Sequence, residues 1–361
     1  MKLTKEQRCL LWLSCAEITA DRLQKLLKEY GSAAALWELF QRGERFSKHP
    51  EANRVLSEFH SDKALDNLLE RMEALNVKLL FAEDEGYPSL LKSIDDPPYL
   101  LYCMGDVSAL SLPCVAVIGT RHPSRYGSDM AKTIASTLAG AGVCVVSGLA
   151  IGIDAQAHSG TLRSGGKTVA VLGSGLAAPY PPENVDLFRE ILASGGAVIS
   201  EYPPNARPHT FHFPHRNRVI SGLSRGVVFV EGRIKSGGMI TVRTALDQGR
   251  EVFAVPGNIG QYYAEGPNAI IREGAVMITS AQDILDDLGL EAARNQSAGA
   301  RDEAFTNDGI LLALRKEAMG MDALAEATGM SADALIAQLC ILEINGDIAR
   351  ESGNTYRLLR R

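Results

Sequence analysis

The chain has 361 residues, enough for two or three domains, and 46% of them are apolar, as a core of α/β size requires. No apolar run is long enough to span a bilayer, the polar start Met1-Lys2-Leu3-Thr4 is unlike a signal peptide, and Cys9, Cys15, Cys103, Cys114, Cys144 and Cys340 form no Cys-x-x-Cys pair, so a cytoplasmic chain with free thiols is expected. The net charge of −6 is uneven: Val115–Ala275 holds 15 Lys and Arg against 11 Asp and Glu, so a polyanion is admissible in that span.

Helical spacing of apolar residues predicts helices at Arg8–Cys15, Ala20–Tyr30, Ala33–Arg42 and Asp62–Leu75, an N-terminal helical domain over 1–78. A bridging segment follows, ending at the turn Asp95-Asp96-Pro97-Pro98. Seven short β-branched runs come next: Val115–Gly119, Val143–Ser147, Thr168–Leu172, Ala197–Ser200, Val227–Glu231, Glu251–Val255 and Ala275–Ile278. Helical stretches such as Ser128–Gly140, Asp186–Ala193 and Met239–Gln248 lie between them. That alternation predicts an α/β fold, an extended Rossmann-like parallel sheet covered on both faces, over 79–288. Residues 289–304 read as a linker. Within 305–361, three short helices and a hairpin around Gly353-Asn354 suggest a winged-helix-like domain.

Three loops leave strands and open helices: Gly119-Thr120-Arg121, Ser147–Asp154 with Gly148 and Gly152, and Lys235-Ser236-Gly237-Gly238. Bare N–H groups at helix starts attract phosphate, and glycines let it approach. Arg121, just past a strand, either grips phosphate or makes a surface ion pair. Gly166-Lys167-Thr168 mimics a nucleotide P-loop, but position 161 is Thr and the lysine opens a strand, not a helix. Lys167 at that strand entrance faces a ligand or is a solvated charge. Gly119-Thr120-Arg121 departs from the dinucleotide fingerprint, and no acid ends the second strand. Asp154 reads as an N-cap, with a pairing to His158 one turn on as its alternative. His209, His212 and His215 have metal-ligand residue types, but Phe211, Phe213 and Pro214 between them argue against a helix that presents the rings together. Arg216-Asn217-Arg218 at a helix start suits a phosphate backbone, or else an ion-pair hub.

These segments together resemble the DprA/Smf family of DNA-processing proteins. The matching residues are Val117–Arg121 with Tyr126-Gly127, Val145–Asp154 with Ala157-His158, Ala170–Leu176 with Tyr180-Pro181, Ser200–Pro204, Phe213–Ser224, Ser236–Thr241 and Gly249–Gly257. The resemblance implies a non-enzymatic protein that binds single-stranded DNA, protects incoming strands and helps load the RecA recombinase during natural transformation, as a homodimer and without a cofactor or metal. It places Arg121 and Lys167 in a positive DNA pocket whose floor is shaped by Gly148 and Gly152, with Gly119 a further DNA-binding candidate. Arg216, Asn217, Arg218, Lys235, Ser236 and Gly237 are further candidates. It also implies a SAM-like or helix-hairpin-helix-like N-terminal module and a winged helix at the C-terminus. Three stretches depart from the family pattern: Glu17–Ala20 lacks the hairpin glycines, Glu231-Gly232 replaces Glu-Ala, and Tyr262–Asn268 replaces Ser-x-Gly-x-Asn. The rival reading is a binding protein or hydrolase for a phosphorylated nucleoside, suggested by Gly237-Gly238-Met239-Ile240-Thr241. Such an enzyme wants a carboxylate in the next turn, where this chain has Val242-Arg243-Thr244.

Overall fold

The computed structural model describes residues 2–290 and, with interruptions, 310–359. Residues up to Gln296 make one compact unit and Ser297–Arg361 a second.

The first unit opens with five helices: α1 (Lys5–Cys15), α2 (Ala20–Tyr30), α3 (Ala33–Gln41), α4 (Pro50–Phe59) and α5 (Asp62–Ala74). Their starts are written in the sequence. Thr4 accepts from the Gln7 amide while the Gln7 side chain accepts from the Thr4 amide, a reciprocal cap. Thr19, Ser32 and Ser61 cap three more helices, and Pro50 begins α4 where its missing N–H costs nothing. Helix α4 went unanticipated because only Leu56 of it is buried.

The bridging segment contains two unanticipated strands, β1 (Lys78–Phe81) and β2 (Leu100–Gly105), around the short helix α6 (Ser89–Lys92). Beyond them come β3 (Cys114–Ile118), α7 (Arg125–Gly140), β4 (Cys144–Ser147), α8 (Ile153–Arg163), β5 (Thr168–Leu172), α9 (Val185–Ala193), β6 (Ala197–Ser200), α10 (His212–Leu223) and β7 (Gly226–Phe229). The unit closes with α11 (Gly237–Asp247), β8 (Glu251–Ala254), α12 (Glu265–Arg272), β9 (Val276–Met277) and α13 (Ala281–Asp287).

Nine strands form one sheet in the order β1-β2-β6-β5-β4-β3-β7-β8-β9. The seven from β6 to β9 are parallel, as expected; β2 adds antiparallel to β6, and β1 antiparallel to β2. Strand alternation sorts the core into layers. Val115 and Val117 pack with Ile134 and Leu138 of α7, whereas Ala116 and Ile118 pack on the other face with Val219 of α10 and Val242 of α11. Ala170 and Leu172 of β5 join Leu11, Trp12 and Leu13 of α1, so the N-terminal helices share a continuous core with the sheet.

In the second unit β10 (Met319–Gly320) precedes α14 (Met321–Thr328), and β11 (Ile348–Glu351) pairs with β12 (Thr355–Leu358) as the expected hairpin. β10 adds to the outer edge of β12, and Ile310, Leu324, Leu339 and Tyr356 are buried together. Of the linker expected over 289–304, residues 291–304 lie outside the described residues, as does Cys340; the other five cysteines are free thiols.

Candidate functional site

The chain lays strands outward from β3 to β6, then returns to place β7 on the other side of β3. The helix after β3 covers one face and the helix after β7 the opposite face, so the two loops part. A crevice at the carboxyl ends of such strands is where open α/β sheets take ligands. Here it is a cleft of about 610 Å³ lined by Gly119, Thr120, Arg121, Phe213, Asn217 and Gly237 among others. Helices α8, α10 and α11 all start at it, and none has a side-chain cap on its first amides. The Ser236 hydroxyl instead donates to the Arg233 carbonyl at 2.7 Å. The Ile153 and His212 amides that open α8 and α10 donate to the Thr120 and His209 carbonyls, and Pro214 has no N–H, so the glycine amides that open α11 are the main ones left to an anion.

The floor is built on buried charge. The Gly148 amide donates to Asp154 Oδ2 at 3.0 Å, and the Gly148 carbonyl accepts from Arg216 Nη1 at 2.8 Å. Arg216 Nη1 also donates to the Val171 carbonyl at the end of β5. A Cβ at Gly148 would sit within 2.8 Å of the Arg216 guanidinium, so only glycine fits this clasp. Gly152, at φ +86°, carries the chain into α8 in a conformation that side chains disfavour. Burial lowers Arg216 to about 10, against the pull of Asp154, so its charge persists at neutral pH. Burial likewise raises Asp154, while Arg216 and the Gly148 amide oppose that shift.

At the mouth, exposed Arg121 holds its guanidinium 5.8 Å from the centre of the half-buried Phe213 ring, and Tyr180 leans on the same ring at 5.6 Å. Asn217 bridges the floor and the α11 loop: its Oδ1 accepts from Arg216 and its Nδ2 donates to the Gly237 carbonyl at 3.5 Å. Asp154 is the one carboxylate lining this cleft, and Glu183 lines a smaller recess beside it. The arrangement offers cations, free amides and an aromatic face, which is equipment for holding a phosphorylated, base-bearing chain.

The structure brings together Arg121, Gly119, Gly148, Arg216, Asn217, Ser236 and Gly237, with Gly152 shaping the loop beneath them. Lys235 is exposed on the rim beside Ser236. Lys167 is not brought there. It precedes β5 at the amino edge of the sheet, where Nζ pairs with Asp106 at 2.6 Å, because a residue entering a parallel strand lies opposite the loops leaving it. Arg218 also points elsewhere: it is buried between Asp96 and Glu201, both at 2.7 Å, and acts as an ion-pair hub.

Asp154 is not the cap of α8, a position held by Gly152; it lies in the first turn and ties the loop together. Its expected alternative partner, His158, hydrogen-bonds Thr168 Oγ1 at 2.7 Å instead. Contrary to expectation, α10 already begins at His212 and accommodates Pro214 in its first turn, where amides have no helical acceptor. His212 stacks on Tyr202 at 3.9 Å and pairs with Glu17, while His215 faces Glu201; no cluster able to hold a metal occurs among the described residues. Sequence reasoning missed Phe213 and Tyr180 as site residues. Each stands in a quoted motif, but exposure of a ring is not visible in sequence.

The family model for DNA recombination-mediator protein A matches residues 78–289, and that for the DprA winged helix domain matches 292–354. Protein Smf of Escherichia coli K12 is 39% identical over 318 residues, 86% of this chain and 84% of that protein. The X-ray structure of DNA processing protein A from Streptococcus pneumoniae superposes with a TM-score of 0.66 at 34% identity, covering 80% of this chain and 99% of that one. The structure of DNA processing protein A from Helicobacter pylori, described for its single-stranded DNA binding mode, gives 0.54 at 32% identity over 59% of this chain and 95% of that one. With the switch-point cleft, its uncapped helix starts and these matches in place, the chain belongs to the DprA/Smf family of DNA recombination-mediator proteins.

Proposed function

We propose that the cleft at the β3–β7 switch point binds single-stranded DNA, and that the protein thereby protects single strands and helps load RecA on them. The observation that carries this reading is Arg121 standing beside the Phe213 ring at the mouth of a cleft into which three uncapped helices open. Phosphates meet the guanidinium and the amides, while an unpaired base stacks on the ring. A duplex keeps its bases stacked inside, so it gains only the charge contacts. Little sequence preference follows, because backbone groups dominate the cleft. The Helicobacter pylori relative's single-stranded DNA binding supports this reading. The homodimer belongs to the same reading: Ile240 and Leu246 of α11 are exposed and apolar, whereas Met239 faces the core.

Anisotropy titration of labelled oligonucleotides tests the site. Single strands should bind well ahead of duplex, and Arg121→Glu should weaken that binding at least tenfold and flatten the log–log salt slope by about 0.7 or more. Phe213→Ala should cost about 1–3 kcal/mol with the salt slope unchanged. Unaltered binding by a folded Arg121→Glu variant would move the site elsewhere. Faster RecA filament growth on a strand in the presence of the protein, lost with the same variant, tests the mediator role.

A further inference from the structure

A second cleft, of about 760 Å³, lies on the far side of the loop that carries Arg121, at the carboxyl ends of β7 and β8. Its walls come from Arg125 and Tyr126, which open α7 where that loop ends, and from Pro256, Asn258, Gln261 and Tyr262 after β8. Tyr262 opens the stretch Tyr262–Asn268 that departs from the family pattern.

Two tyrosines stand half open to solvent there and are held in place. The Tyr126 hydroxyl donates to the Pro256 carbonyl at 3.1 Å, and the Tyr262 hydroxyl accepts from Arg233 at 2.8 Å. The Arg233 guanidinium also lies 4.3 Å from the Tyr262 ring centre, and Tyr263 meets that ring edge-on. Rings fixed in this way lose little freedom when something stacks on them. Glu231, the one carboxylate lining the cleft, is already engaged: it accepts from the Ser124 amide at 2.8 Å and from its hydroxyl at 2.5 Å. Arg125, almost fully exposed, and Arg233 stand at the rim in exposed pairs with Asp129 at 3.8 Å and Glu265 at 3.6 Å, and pairs of that kind are weak enough for a phosphate to displace. Asn258 and Gln261 add exposed amides, which can donate to or accept from base edges.

We propose that this cleft is a second subsite for single-stranded nucleic acid, taking nucleotides of the same strand that occupies the switch-point cleft. The inference rests on the strand-binding reading of that first cleft. The connection is short: the loop that carries Arg121 runs straight into α7, whose first residue is Arg125, so a backbone leaving Arg121 meets the next cation four residues on. Arg125 and Arg233 take the phosphates, Tyr262 takes an unpaired base, and the amides tolerate any of the four bases. The aromatic and cationic lining with an occupied carboxylate favours this occupant over an acidic or apolar peptide.

The test is a ladder of oligo-dT from about 4 to about 16 nucleotides, the span of single-strand sites, titrated against the full chain and its variants. In the wild type, affinity should keep rising with length until one strand reaches both clefts. Tyr262→Ala should leave the shortest strands unchanged and weaken the longest about fivefold or more, the effect of one lost stacked base. Tyr262→Phe should keep the wild-type profile. Asn258→Asp, on an exposed loop, provides a second variant and should lose long-strand affinity in the same way. If both Tyr262→Ala and Asn258→Asp follow the wild-type profile at every length while Arg121→Glu binds poorly, the second subsite is wrong and the first stands. If Arg121→Glu binds normally at every length, the first reading fails on its own account. Photocrosslinking of iodouridine in a long strand should label Tyr262; labelling confined to Phe213 and Tyr180 overturns the proposal.

Discussion

Arg216 and Asp154 hold Gly148 from its two sides, one donating to its carbonyl and the other accepting from its amide. Both residues are buried at the base of the cleft, at 6% and 7% exposure, so each charge depends on the other. Replacing Arg216 by Met should cost about 3–5 kcal/mol in urea unfolding, because it strands a buried carboxylate. The double variant Arg216→Met with Asp154→Asn should recover at least about 0.5 kcal/mol relative to additivity. Full additivity would show that the two charges do not support each other through the loop.

Lys167 and Asp106 form a surface pair at the other edge of the sheet, and the lysine holds the Asp106 carboxyl well below the usual range, with Ser108 assisting. Both are partly exposed, so the pair contributes no more than about 1 kcal/mol. Lys167→Ala should therefore lower stability slightly and change single-strand affinity less than about twofold, since it removes no phosphate contact from the cleft. A larger loss of affinity would place DNA on that edge.

His158 is fully buried, and burial lowers it to about 3 from 6.5, with Arg216 adding to the shift. The Thr168 hydroxyl donates to the Val145 carbonyl at 2.6 Å, so it accepts from the Nδ1–H of a neutral ring. Because the folded value is the lower one, the unfolded chain takes the proton first. Stability from this group is complete above about pH 6.5 and is lost as pH falls from there toward 3, at up to about 1.4 kcal/mol per unit. His158→Leu should flatten that acid limb in urea titrations at pH 7 and pH 5. An unchanged difference between the two pH values would assign the limb to other groups.

Leu290 is buried with Ile284 and Leu285, so a cut meant to isolate the first unit belongs after Leu290, not at the domain end of 288 expected from the sequence. That truncated chain should unfold cooperatively and keep its single-strand affinity, because the cleft is made entirely from residues 118–241. Loss of binding by a folded truncation would transfer the role to the C-terminal unit.

Ile240 and Leu246 lie outward on α11, at 42% and 57% exposure. Leu246→Glu should convert a dimer to single chains in light scattering at tens of micromolar, since one charge in an apolar contact costs several kcal/mol. A wild-type mass of one chain at the same concentration would remove the dimer from the reading.

The parallel strands were legible in the sequence because strands buried on both faces must be short, apolar and β-branched, as β3 to β7 are, while the edge strand β9 leaves Met277 exposed. The phosphate loops were legible for a related reason: glycines such as Gly148 and Gly152 answer to backbone geometry that a local pattern records. Strands β1 and β2 were not legible, since Leu100–Gly105 gains its place in the sheet from β6, about a hundred residues on, and Lys78–Phe81 only adds to β2 once that is in place. Tertiary structure alone decided the fate of the charges. Arg216, Arg218 and Lys167 are equivalent cations in a sequence, yet one lies under the cleft, one is locked between Asp96 and Glu201, and one sits on the opposite edge. Which end of a parallel strand a residue occupies, and which carboxylate reaches it, depends on partners far along the chain. Long-range packing sets those partners, and no local spacing encodes them.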